Sequence, residues 1–410
     1  MMNDITSGHE LLQEAQNYFP KALISGLAAK GHDFFESGSA GAWLYDEKKN
    51  AILDAYTSGG THNLGRSRPE LGQALLNAAE KTDQGNFVLV SKEKVRLVER
   101  LARFMPYDLS CMLFTVVRGE AMDAACKVAR GHTERTELIT VDGGWYGQTG
   151  FAMSLSDRID KADYGPLIPD VKTIPFGDGT AAEKAVTART AAVILEPVQA
   201  ENGCRTATRE YLGQLRRVCD QKGALLILDE TQTGFGRTGT KFACEGLGAS
   251  PDILIFGEAL AGGMFPMCGL AFPPRIKAFF DKHPLIHLCT FGGHDVGCLV
   301  ADKALDLYET LKPWNNAKRQ GERILNGLKP LAGEYPDTFR SVAGLGLLLS
   351  IQLTSTEKAL AFCKAARTQG LLCVPGEVLK SSVVLRPPLT LTDEESRKLI
   401  EAIQNTLKRI

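Results

Sequence analysis

Between Cys111 and Phe272 the chain repeats one pattern: a short apolar run without polar alternation, then a longer stretch of helical period. Cys111-Met-Leu-Phe-Thr-Val116 is the first run, and residues 120–130 follow at helical spacing. Glu137-Leu-Ile-Thr-Val141 and Ala191-Ala-Val-Ile-Leu-Glu196 are the next strands, and Tyr211 to Cys219 falls on a helix. Ala224-Leu-Leu-Ile-Leu-Asp229, Ile253-Leu-Ile-Phe256 and Gly269-Leu-Ala-Phe272 complete the set. Runs this short and this apolar read as strands buried on both faces. Strands alternating with helices predict an α/β fold with a parallel sheet covered by helices on both faces.

The flanks read differently. Residues 1 to about 40 predict an N-terminal helix and a loop, with Leu11, Leu12 and Ala15 at helical spacing. Ala42-Trp-Leu-Tyr-Asp46 and Ala51-Ile-Leu-Asp-Ala-Tyr56 predict a hairpin or edge strands, followed by the turn-rich loop from Ser58 to Gly65. Pro69 starts a helix, and Ser91 caps another, with Val95, Val98, Leu101 and Phe104 assigned to its inner face. From about residue 300 the pattern turns to long helices and short strands. Thr392-Asp-Glu-Glu395 is a capping box that opens a terminal helix carrying Leu399, Ile403 and Leu407 on one face. A separate C-terminal domain is expected, and no internal repeat appears.

Composition narrows the classes. A chain of 410 residues exceeds one ordinary core, so two domains are expected. The 44% hydrophobic and 23% charged fractions are those of a soluble globular protein. A net charge of −1 gives no overall polyanion-binding surface, so no nucleic-acid partner is expected. Ten cysteines without a CxxC pair or a His–Cys cluster predict reduced thiols in the cytoplasm and no metal. The polar, acid-bearing N-terminus does not read as a signal peptide, and no window predicts a membrane span.

Candidate chemistry sits at the strand ends. In an open parallel sheet, ligands bind at the carboxyl ends of the strands. The run ending at Leu228 meets Asp229 and Glu230, then a turn with Gly234, Gly236 and Gly239. A carboxylate there is costly to bury unless it meets a cation or a proton donor. The alternative is a capped strand end with no chemistry.

Taken with Pro251-Asp-Ile-Leu-Ile-Phe-Gly257 and the following Glu258-Ala-Leu-Ala-Gly-Gly263, this stretch resembles the class III aminotransferases, which use pyridoxal phosphate (PLP). The resemblance implies fold type I: a large domain with a mainly parallel seven-stranded sheet, and a smaller α+β C-terminal domain. It implies residues 1–55 as an N-terminal segment of the small domain, 56–300 as the large cofactor-binding domain and 301–410 as the C-terminal small domain. It implies that Asp229 pairs with the pyridine nitrogen and that Gln232 belongs to the same site. Gly143-Gly-Trp-Tyr-Gly147 is similar to the family's Gly-aromatic-His-Gly turn, which makes Trp145 the ring that stacks on the cofactor, with core packing as the alternative. Tyr146 replaces the usual histidine. In Glu196-Pro-Val-Gln-Ala-Glu201, the resemblance puts Gln199 near the phenolic oxygen and pairs Glu201 with a substrate-binding arginine. Arg386, in Leu385-Arg-Pro-Pro-Leu389, is that arginine, although many relatives place it two residues earlier, at Val384 here. Thr290-Phe-Gly-Gly293 matches a loop that reaches the cofactor phosphate across a dimer interface, so a homodimer with shared sites is implied.

Two places depart from the family. Its phosphate cup, Asn-Ser-Gly-Ser/Thr-Glu-Ala, is here Val116-Val-Arg-Gly-Glu-Ala121. The helix start still favours an anion. Gly119 replaces a hydroxyl residue, and Arg118 either grips the phosphate or is a surface cation. The second departure is Glu258, which stands where the family carries the lysine that forms the Schiff base. Lys241 and Lys277 lie outside the motif. Three readings follow. The protein binds pyridoxamine phosphate (PMP) or PLP noncovalently and acts on an amino or keto substrate, with Glu258 moving protons; burial is expected to raise its pKa. Or it is an inactive homologue serving as a binding partner. Or it is an ordinary transaminase altered at the lysine position.

Overall fold

The computed structural model describes residues 7–83, 89–157 and 161–410. Residues 1–6 of the expected N-terminal helical segment lie outside these. Seven strands form the central sheet: β1 (Cys111–Thr115), β2 (Glu137–Val141), β3 (Val171–Ile174), β4 (Thr190–Leu195), β5 (Leu225–Asp229), β6 (Ile253–Phe256) and β7 (Cys268–Phe272). Their order is β1-β7-β6-β5-β4-β2-β3. β7 runs antiparallel to both its neighbours, and the other strands are mutually parallel. β2, β4, β5, β6 and β7 are buried at every residue, which is why they read as uninterrupted apolar runs. The helix Arg118–Thr133 lies across one face of the sheet, against β1, β4, β5, β6 and β7. Its first turn therefore sits over the strand ends.

A second core joins both ends of the chain. Ala42, Leu53 and Ala55 pack with residues of the 317–407 stretch. The strands Gly38–Ala40, Trp43–Tyr45 and Ala51–Asp54 continue into Leu371–Leu372, which pairs in parallel with the last of them. A four-stranded antiparallel sheet, Phe339–Leu345, Leu348–Leu353, Ser382–Leu385 and Val374–Pro375 in that spatial order, completes this part. The helix Asp295–Leu311 packs into the core of the large sheet, so a division at residue 300 cuts through it.

Local signals held where they rested on hydrogen bonding. Ser91 accepts from Lys94 N–H, and the Thr392/Glu395 capping box is formed. The inner face assigned to the helix Lys92–Phe104 was wrong at Val95, which is 54% exposed, while Leu97, Leu101 and Phe104 are buried. Strict three-residue spacing lags the helical turn by about 60° per step, so after nine residues Val95 faces away from Phe104.

Arg237 clamps the two parts together. It is fully buried, donating to the carbonyls of Leu347 and Pro387 and to Asn63 Oδ1. The clamp fixes the loop after Gly60 and the segment that follows Arg386. Arg237→Met strands three buried acceptors and should cost about 3 kcal/mol, read as a lower urea midpoint with an unchanged slope.

Candidate active site

Four chain segments converge at the carboxyl end of the sheet. β1 leads into Arg118, β4 into Glu196 and β6 into Glu258, while β5 ends in Asp229. The Asp229–Glu230 pair divides because successive side chains on a strand point to opposite faces. Glu230 accepts from Thr233 Oγ1 and from the N–H groups of Ala243 and Cys244, holding the start of the helix Ala243–Leu247. The capped strand end is therefore its role. Asp229 turns the other way, towards Arg118.

Arg118 is not a surface cation, and its guanidinium does not point out to the helix start. It is buried, with Nε donating to Asp229 Oδ2 and Nη2 to Glu196 Oε2, each at 2.8 Å. Two buried carboxylates on neighbouring strands demand a counterion, and Arg118 supplies it. Glu196 Oε1 accepts the Trp145 N–H at 2.9 Å. Burial pushes the Glu196 carboxyl up to about 7, opposed by the Arg118 charge and reinforced by that of Asp229.

A cavity of about 380 Å³ opens above these groups, lined by Val117, Arg118, Trp145, Thr231, Gln232 and Glu258 among others. Among the described residues lining it there is no lysine. Glu258 is half-buried, so the deep burial expected for it is not found: it follows the strand by two residues and opens onto the cavity. Gly257 allows this approach, because a Cβ there would lie 2.3 Å from Thr231 Cγ2. The Cys268 thiol is fully buried, and burial pushes its pKa well up, with the nearby Glu258 charge adding to the rise. Trp145 is half-buried on the cavity wall and is not a core residue. Gly119 is buried in the cavity lining, and a Cβ on it would meet Thr149 Oγ1 at 2.9 Å. The hydroxyl missing from the cup thus has a neighbour in Thr149.

A second cavity of about 310 Å³ adjoins the first and shares Gly59, Trp145 and Gln232 with it. Arg386 lies on its wall, 2% exposed, donating from Nη1 to Glu201 Oε1 at 2.9 Å and to Gln232 Oε1 at 3.0 Å. Gln232 in turn donates to Gly59 O at 2.8 Å. Val384 is packed in a small apolar cluster, so position 386 carries the cavity arginine. Lys30, His32 and Glu377 complete the rim. They were not legible beforehand, because the helix Lys21–Ala29 and the segment that follows the strand Val374–Pro375 meet only in the folded chain.

Other expected positions lie elsewhere. Gln199 turns away from both cavities, donating to Asp142 O and accepting from Asn202 and Arg205. Tyr146 is fully buried, its hydroxyl on Thr140 Oγ1 and Ile194 O. Thr290 is exposed and is not in the cavity lining of its own chain. Lys241 is directed to the Phe104 carbonyl.

A two-part α/β architecture with acidic groups and an aromatic wall at the sheet's carboxyl end defines a fold type I, PLP-dependent class of protein. The family model "Aminotransferase class-III" matches residues 27–407, and the chain belongs to that family. An uncharacterized aminotransferase of Archaeoglobus fulgidus is 34% identical over 378 residues, covering 92% of this chain and 89% of the relative. The ornithine aminotransferase of Oceanobacillus iheyensis is 32% identical over 402 residues, 96% of each chain. The ornithine aminotransferase structure from Toxoplasma gondii, described with partial PLP occupancy at its active site, superposes with a TM-score of 0.87 at 26% identity, over 95% of this chain and 97% of that one. PLP, exchanging with PMP, is the cofactor of this family. Among the described residues no helix is long and apolar enough to cross a membrane.

Glu196 makes stability depend on pH. Its folded-state pKa of about 7 exceeds the ordinary 4.5, so the folded chain holds a proton that the unfolded chain releases between those values. The stabilisation is whole below pH 4.5 and is lost as pH rises to 7. Urea midpoints of the wild type should fall across that window, and Glu196→Gln should remove this component of the fall.

Proposed function

We propose that the protein holds PMP or PLP without a covalent bond to any of its lysines and acts on a small amino or keto compound, with Glu258 as the proton carrier. One observation supports this most: Glu258 sits in the frame where relatives carry their lysine, between Pro251-Asp252-Ile253 and Gly262-Gly263, and its carboxylate lines the same cavity as Trp145 and Gln232.

The residues present suit such a group. Trp145 offers a flat face for a ring. The unpaired N–H groups at the start of the helix Arg118–Thr133, with the Thr149 hydroxyl beside Gly119, suit a phosphate. Asp229 suits a protonated ring nitrogen once the Arg118 guanidinium has moved off it. When bound, the cofactor supplies an electron sink for charge developing at the substrate carbon. Glu258 takes the proton from that carbon and returns it. Arg386 receives a substrate carboxylate in exchange for Glu201, and Gln232 keeps its guanidinium aligned.

Thr290 belongs, in this reading, to the partner's site in a homodimer. Its exposure beside Leu285, Leu288 and Phe291, all more than half exposed, supports this. Ten cysteines, all free, support a cytoplasmic setting. A second reading, a family member without catalysis that serves as a binding partner, is favoured by the Arg118–Asp229 pair, which already satisfies the carboxylate a ring would use.

Borohydride reduction with peptide mass analysis tests the first reading. The wild type should yield no phosphopyridoxyl-lysine, and one such lysine at full stoichiometry would return the protein to ordinary transamination. The spectral change of the PMP-loaded protein on adding a keto acid should slow about 10²–10⁴-fold in Glu258→Gln. An unchanged rate removes Glu258 from the chemistry.

A further inference from the structure

Asp229 and Glu196 are each 1% exposed, and Arg118 binds both. This contact reaches across the fold. Arg118 belongs to the first turn of a helix, and its partners stand on β5 and just beyond β4. The side chain is long and rotatable, and it borders the cavity of about 380 Å³ that also contacts Val117, Gly119 and Thr231. The guanidinium therefore has room to swing away from the carboxylates without any movement of the main chain.

We propose that Arg118 is the resident counterion of this site: it occupies the carboxylate that a ring nitrogen needs, and a pyridine-type cofactor binds only by displacing it. The proposal rests on the noncovalent-cofactor reading above. It follows from charge accounting at a buried position. A buried carboxylate needs a cation beside it, and the Asp229 oxygen Oδ1 accepts the Thr231 N–H. The other, Oδ2, holds Arg118. A protonated ring nitrogen and the Arg118 guanidinium compete for the same oxygen, and the side chain competes without loss of translational freedom. The site is thus closed by its own side chain until a ligand with both a cationic ring nitrogen and a phosphate supplies enough contacts to open it. Glu196 loses its partner in the same step but keeps the Trp145 N–H, so the aromatic wall stays in place.

Calorimetric titration of PMP and PLP into the full-length wild type, Arg118→Gly and Arg118→Gln tests this. Apparent affinity falls by the fraction of molecules whose site is open, so if Arg118 leaves Asp229 in one molecule in ten or fewer, Arg118→Gly should bind about tenfold tighter or more. Arg118→Gln, which lacks the charge but retains polar volume, should also bind more tightly than the wild type, and it serves if the glycine variant does not fold. A structure of the wild type soaked with PMP should show Arg118 off Asp229. Equal affinity in wild type and folded variants, or Arg118 still on Asp229 beside a bound ring, overturns the proposal and leaves the noncovalent reading standing. Binding by the variants with none by the wild type upholds the displacement and overturns that reading. No binding by any folded form overturns both.

Discussion

Two carboxylates at the ends of adjacent strands in a sheet buried on both faces cannot both remain ionised without a cation between them. Arg118 is that cation, and much of the site follows from it. Its fork joins β5 to the residue after β4 and ties both to the start of the helix that covers the sheet. Removing one member of such a buried set typically costs about 3–5 kcal/mol, because a charge is left without a partner. The second oxygen of Glu196 holds the Trp145 N–H, so the aromatic wall is oriented through the same network. One side chain thereby fixes a helix end, two strand ends and a ring.

The second cavity depends on a different constraint. Arg386 follows the strand Ser382–Leu385 in the smaller core, yet it must meet Gln232, which follows β5 in the larger one. Arg237 makes that meeting possible by holding Asn63, Leu347 and Pro387 together. Gln232 is the joint between the halves: its amide donates to Gly59 O, and its oxygen accepts from Arg386. Trp145 and Gln232 line both cavities. Arg386 on the wall of one cavity and Arg118 and Glu258 on the wall of the other are thus brought to adjoining spaces by residues of both cores.

The strands and their order of appearance were legible because burial on both faces leaves an uninterrupted apolar run, a purely local signal. Helix caps at Ser91 and Thr392 were legible for the same reason. Trp145 and Gln232, which the structure places on the cavity wall, and Asp229 beneath it each lie in a short motif with fixed spacing. Arg118 was not legible. Its partners lie 78 and 111 residues away, and neither spacing nor composition reports that a side chain turns inwards to a counterion. Glu196 was visible only as the first letter of a motif, and its role appears once β4 and β5 are adjacent. Gln199 is the converse case: a motif residue whose oxygen accepts from Asn202 and Arg205 and whose nitrogen donates to Asp142 O, away from both cavities.

The charged side chains at positions 118 and 258 are best understood together. Arg118 is the one basic side chain, and Glu258 the one acidic one, among the described residues that line the first cavity, with Asp229 and Glu196 beneath. If Glu258 replaces a lysine, as proposed, the cavity exchanged a cation for an anion at that point. A glycine at position 118 would then leave three carboxylates around one low-dielectric space, where like charges raise one another's cost of ionisation. The guanidinium at 118 restores a cation to the group that needs it most, the fully buried pair, and leaves Glu258 half-buried and open to the cavity. A glycine at 118 or a lysine at 258, introduced alone, would each change the balance of one cation against three carboxylates at this site.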